Sequence, residues 1–140
     1  LKKKKNIMKK KIKKISIYPT GICHGDLTLS NMILKNDKIY LIDFLQTYND
    51  GILQDLSKVY QEFILGWSSR HSSEQEKLRA KIICRKLIDK NFFNIFPKKI
   101  LQHLQFEILM TLFRIFPYVD KDDKITIRWL KNSVNSVFKS

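Results

Sequence analysis

A chain of 140 residues, 44% of them apolar, has the length of one domain or one lobe and enough apolar content for a packed core, which excludes wholesale disorder. The net charge of +14 is uneven: nine lysines and no acids fall within residues 1–14, while the other 126 residues carry 18 basic and 13 acidic side chains. Cys23 and Cys84 stand far apart without metal-ligand spacing, which excludes a disulfide framework and fits a reducing, cytoplasmic setting, and no run approaches the ~20 apolar residues of a membrane span.

Residues 1–16 form a basic lysine-rich segment, expected as a weak helix with Ile7, Met8, Ile12 and Ile15 on its apolar side, and Pro19 and Gly21 punctuate the chain after it. A loop from His24 to Asn31 follows. Strands are expected at Met32–Leu34 and Ile39–Ile42, joined by a turn at Asn36-Asp37, with Asp50-Gly51 as the next break. From there the pattern is helical. Ile52, Leu53, Leu56, Val59, Tyr60, Phe63 and Ile64 keep a 3.6-residue period. A second helix starts near Ser73, with Glu76 placed for a capping box. Pro97 opens a third, and a fourth begins around Asp120 to Asp123. The expected architecture is mainly α, a small β-hairpin packed on a helical bundle.

The stretch HGDLTLSNMILKNDKIYLIDF, residues 24–44, carries the chemistry. Phosphoryl transfer needs magnesium to neutralise phosphate charge and a carboxylate to orient the acceptor hydroxyl and take its proton. Magnesium prefers hard oxygen ligands, one or two of them from protein. Asn31 and Asp43 supply such oxygens at the two ends of a hairpin that can fold back on itself, which leaves Asp26 free as the base.

His24-Gly25-Asp26-Leu27-Thr28-Leu29-Ser30-Asn31 followed by Ile42-Asp43-Phe44 resembles the catalytic core of aminoglycoside phosphotransferase and choline kinase-type enzymes, relatives of protein kinases. The resemblance covers roughly residues 17–65. It implies the carboxyl-terminal lobe of a protein kinase-like fold over residues 17–140: catalytic loop 24–31, hairpin 32–43 and helical bundle 51–140. It implies Asp26 as catalytic base and Asn31 and Asp43 as magnesium ligands, with ATP as phosphoryl donor. Asp55, in Gln54-Asp55-Leu56-Ser57, matches an acidic residue that braces the catalytic loop in the family. His24 reads as structural support, bonding nearby backbone. Trp67 and Arg70 can line an acceptor pocket, although core packing for the tryptophan and a solvated guanidinium are the simpler reading. His71 and His103 are isolated and give no metal signal.

Gly25 stands where many protein kinases have arginine, and Leu45 follows Asp43-Phe44 where those kinases have glycine. Both differences favour a small-molecule hydroxyl as acceptor: a sugar, an amino alcohol or a surface-polysaccharide precursor. Gly21, Gly25, Gly51 and Gly66 form no glycine-rich phosphate loop, so the amino-terminal ATP-binding lobe is expected to be absent from these 140 residues. Two rivals stand beside this reading. One is a truncated, non-catalytic kinase-like binding module. The other is a basic nucleic-acid-binding protein, which the excess of lysine over arginine, 22 to 5, argues against.

Overall fold

A computed structural model of the chain describes residues 21–46, 51–88 and 92–139. The lysine-rich segment expected to be helical lies outside the described residues. Strand β1 (Met32–Lys35) and strand β2 (Lys38–Leu41) pair antiparallel, with Met32 opposite Leu41 and Lys35 opposite Lys38. Asn36 and Asp37, at φ 50° and 58°, make the two-residue turn. Left-handed backbone at both central positions matches the right-handed twist of a hairpin, and Asn and Asp tolerate it better than other side chains with a Cβ.

Helix α1 (Ile52–Val59) runs directly into a π-helical segment, Tyr60–Ile64. Helix α2 spans Glu74–Leu87, α3 spans Lys98–Ile115 and α4 spans Lys124–Lys139. Ser73 caps α2 in a full capping box: its hydroxyl accepts from the Glu76 amide, and the Glu76 carboxylate accepts from the Ser73 amide. Pro97 precedes α3 and its carbonyl accepts from the Ile100 and Leu101 amides. Asp123 starts α4 by accepting the Thr126 amide at 2.9 Å.

The core lies between α1, α3 and α4. Leu53 and Leu56 from α1 meet Leu104, Ile108, Leu109 and Leu112 from α3, with Leu130 and Val137 from α4 closing the cluster. A buried polar link crosses it where the Ser57 hydroxyl meets that of Thr111 at 2.8 Å while donating to the Gln54 carbonyl. Trp129 reaches from α4 to donate its indole N–H to the Leu65 carbonyl.

Two features depart from the sequence pattern. The hairpin does not pack into the bundle: after Met32 every residue of both strands is exposed, and the hairpin is held at its base by the loop before it. The first helix also fails to keep an α period to Ile64. The π segment inserts an extra residue per turn, so Gln61 and Glu62 are buried at 2% exposure each while Ile64 turns outward. A 3.6-residue period cannot foresee that register shift.

Candidate active site

The site is assembled at the junction of loop 24–31, the hairpin base and α1. Gly25 has φ 85°, a conformation that costs glycine nothing and a residue with a Cβ more. Asp55, in the first turn of α1, spends its carboxylate on this loop rather than on its own helix. One oxygen accepts the His24 amide at 2.8 Å and the other the Gly25 amide at 3.0 Å. Gln54 beside it, 2% exposed, donates its side-chain amide to the Gly25 carbonyl at 2.8 Å. Three backbone polar groups of the loop are thereby satisfied by two consecutive residues of α1.

His24 is buried and joins the loop to the hairpin. The Asp26 amide donates to its Nδ1, so Nε2 carries the proton and donates to the Ile42 carbonyl at 2.7 Å. The His24 carbonyl accepts the Leu45 amide at 3.0 Å, and the Phe44 ring lies against the imidazole with centroids 4.4 Å apart. These contacts grip the chain on both sides of Asp43, which sits in left-handed backbone at φ 57°. Such backbone is strained for aspartate and persists because its neighbours fix it.

Asn31 is buried and faces Asp26. Its side-chain amide donates to the Asp26 carbonyl at 2.9 Å and to Asp26 Oδ2 at 3.1 Å. With the N–H groups so used, the Asn31 Oδ1 is the atom left for a cation. The Ile42 amide donates to the Asn31 carbonyl at 3.1 Å, which sets Asp43 one residue past the Asn31 pairing position. The set is one amide oxygen and one exposed carboxylate. Hard oxygen ligands of this kind, few in number, fit magnesium that takes its remaining coordination from water and phosphate. Among the described residues no group of three or more His, Cys, Asp or Glu gathers as a complete cage.

Lys58, one turn beyond Asp55, places its ammonium 2.8 Å from Asp26 Oδ1. Each oxygen of Asp26 therefore has one partner and keeps a lone pair for a further donor. Lys58 also lines a cleft of about 750 Å³ together with Trp67, Arg70 and Arg114. Arg70 stacks its guanidinium 3.5 Å from the centre of the Trp67 ring, donates to Thr126 Oγ1 and to the Trp67 carbonyl, and has its pKa lowered by burial. Trp67 meets Trp129 edge to face. Both residues are thus engaged in packing and also border a cleft that shares Lys58 with Asp26. His71 stands away from the loop, with Nε2 3.2 Å from Thr126 Oγ1 and 3.5 Å from Asp123.

Gln54 and Lys58 were not legible as site residues. The available signal was their position: polar side chains inside an otherwise apolar helical stripe face either a partner or a cavity.

Among curated proteins, a probable bifunctional tRNA threonylcarbamoyladenosine biosynthesis protein of Methanosarcina mazei is 41% identical over 68 residues, 46% of this chain and 12% of that protein. Its counterpart in Methanocorpusculum labreanum is 64% identical over 28 residues, 20% of this chain and 5% of that protein. The KEOPS complex subunit Bud32 of Pyrococcus abyssi is 54% identical over 37 residues, 26% of this chain and 17% of that protein. The chain thus spans 17% or less of the length of these relatives. No solved structure matches it. The model of the phosphotransferase enzyme family matches residues 10–82, just over half of the chain, taking in the loop, the hairpin and the bracing helix. The chain belongs to the phosphotransferase enzyme family.

Proposed function

We propose that the chain is the catalytic part of an ATP- and magnesium-dependent phosphotransferase that serves tRNA threonylcarbamoyladenosine biosynthesis in the cytoplasm alongside protein partners. The observation that supports it most is the joint placement of Asp26 and Asn31, with the hairpin returning Asp43 to the base of the same loop. In this reading Asp26 orients an acceptor hydroxyl and takes its proton, with Asn31 and Lys58 fixing the two carboxylate oxygens. Asn31 Oδ1 and the Asp43 carboxylate would hold magnesium, which supplies charge neutralisation on the transferring phosphate. Asp55, Gln54 and His24 keep the loop in register. The setting and the partners rest on the relatives' names.

A small-molecule hydroxyl as acceptor is the second reading, favoured by the cleft that Trp67 and Arg70 share with Lys58 beside Asp26. The test is label transfer from γ-labelled Mg-ATP in a chimera that gives residues 17–140 the ATP-binding portion of a matched relative. Transfer that depends on Asp26 and is stimulated by a tRNA-modification partner supports the first reading. Transfer to free sugars or amino alcohols without a partner supports the second, and no Asp26-dependent transfer of any kind overturns both.

A further inference from the structure

The cleft of about 750 Å³ that Lys58 shares with Asp26 contains a charge the fold leaves uncompensated. Arg70 is half-buried, yet among the described residues it joins no ion pair. Asp123 and Glu62 pull its pKa up from a distance, and burial outweighs both. The guanidinium is nonetheless fixed in place. Nε donates to Thr126 Oγ1 and Nη1 to the Trp67 carbonyl, each at 3.0 Å, and the group stacks on the Trp67 ring. Thr126 and Trp67 both line this cleft, and neither lines the cavity between the π segment, α2 and α4 that Arg70 also borders. Nη2 is left to donate. A half-buried cation without a carboxylate partner is costly. Held rigid in a cleft, its planar fork is prepared for an anion that arrives from outside.

Lys58 stands in the same cleft, and the N–H groups it does not give to Asp26 lie beside the base. The acids of the lining hold protein donors already. Asp123 accepts the Thr126 amide and lies 3.5 Å from His71, and Asp120 accepts the Asp122 amide. The unspent donors of the cleft are therefore cationic. We propose that the acceptor taken by this cleft is an acidic hydroxyl compound with a phosphate or carboxylate of its own, the anion held by Arg70 and the hydroxyl directed toward Lys58 and Asp26. The proposal rests on the small-molecule reading and names the class of its acceptor. The volume is in the range of ordinary small-molecule sites. In the transfer the acceptor oxygen bonds to the γ-phosphorus, the bond to the ADP oxygen breaks, and the hydroxyl proton passes to Asp26.

Trp67 reports occupancy, because an anion on Arg70 changes the charge stacked on the indole. Tryptophan emission of the 140-residue chain is titrated with glycerol 3-phosphate, glycerate, glycerol and ethanolamine. A saturable change with the two anions, and none with glycerol or ethanolamine, is the expected result. Arg70→Gln should weaken both anions about tenfold, the loss of a hydrogen bond between charged groups. Arg128→Gln, at an exposed position outside the cleft, should leave them unchanged. No saturable response to either anion up to about 10 mM overturns the site. So does equal binding of ethanolamine, or a loss in Arg128→Gln as large as that in Arg70→Gln, which would mark a general pull on anions by a basic chain. Should Arg70→Gln fail to fold, Arg70→Lys, which keeps the charge and loses the fork, takes its place. The titration needs no transfer, so the two failures separate. The small-molecule reading fails when the chimera transfers to no free hydroxyl compound, whereas equal kcat/KM for glycerol and glycerol 3-phosphate overturns only the acidic class.

Discussion

Asp26 has each carboxylate oxygen held by a different side chain, Oδ1 by Lys58 and Oδ2 by Asn31. Replacement by asparagine keeps the shape but offers one oxygen in place of two and cannot accept a proton. In a chain competent for transfer, Asp26→Asn should lower turnover by about 10²–10⁴-fold while nucleotide binding survives, as measured by steady-state kinetics beside nucleotide titration. Near-normal turnover would remove Asp26 from the chemistry. Asn31→Ala and Asp43→Ala should each raise the magnesium concentration needed for half-maximal rate. Asp43→Ala should do more damage, because it removes a full negative charge. Unchanged magnesium dependence in both would discard them as ligands. Asp55 carries a different burden: its removal orphans two loop amides at once. Asp55→Ala should destabilise the fold by about 2–3 kcal/mol in denaturant unfolding, whereas Ser73→Ala, which loses an exposed helix cap, should cost about 1 kcal/mol. Equal losses would mean that the brace contributes no more than a surface cap.

At the level of elements, the π segment decides which side chains α1 delivers to the interior. Glu62 is buried there, and burial raises its pKa, outweighing the opposing side-chain and backbone hydrogen bonds from Ser68 and the pull of Lys58; Asp26 raises it further. A carboxyl with a raised folded-state pKa binds protons more readily folded than unfolded. Its charge therefore weakens the fold in full above the folded pKa, and the penalty is relieved as pH falls toward the ordinary value of 4.5. Glu62→Gln should accordingly raise the melting temperature near neutral pH by about 3 °C, with the difference shrinking as pH approaches that value. A constant difference across pH would point to packing rather than charge. Elements whose causes are local were legible in the sequence. Ser73 with Glu76, Asn36-Asp37 and Pro97 each act within four residues, and each marks a boundary in the structure. The partners of Gln54, Lys58 and Glu62 were not, because those contacts join residues about thirty apart or depend on a one-residue shift of helical register. The fold class and the Asp26–Asn31–Asp43 spacing were carried by sequence alone; the ion pair on Asp26 and the exposed hairpin needed three dimensions.

For the whole molecule, the distribution of apolar surface sets what the chain does by itself. The core between α1, α3 and α4 buries its leucines, yet the hairpin and the segment after it leave Leu34 73%, Ile39 66% and Phe44 62% exposed, with Tyr40 and Leu45 also exposed. Leu34 and Ile39, opposite each other across the strands, share one side of the hairpin and Tyr40 lies on the other, and exposed apolar surface of this kind on a lone chain favours self-association. The same region carries Asp43, so the candidate metal position lies at the edge of that exposed surface. Two protein oxygens hold magnesium weakly without phosphates to complete the shell, and phosphates need a backbone loop and a cation to align them for in-line transfer. Among the described residues, no glycine-rich loop offers such a cradle. Residues 1–140 alone should therefore bind Mg-ATP weakly, show no measurable transfer and scatter light as oligomers at concentrations where a covered protein stays monomeric. Isothermal titration with Mg-ATP and multi-angle light scattering test the two halves separately. Hairpin substitutions such as Leu34→Lys and Ile39→Lys should restore the monomer without improving nucleotide binding, because they remove the apolar contact and add nothing that grips phosphate. Micromolar Mg-ATP affinity in a monodisperse monomer would show that loop 24–31 and the hairpin base suffice to clamp the nucleotide.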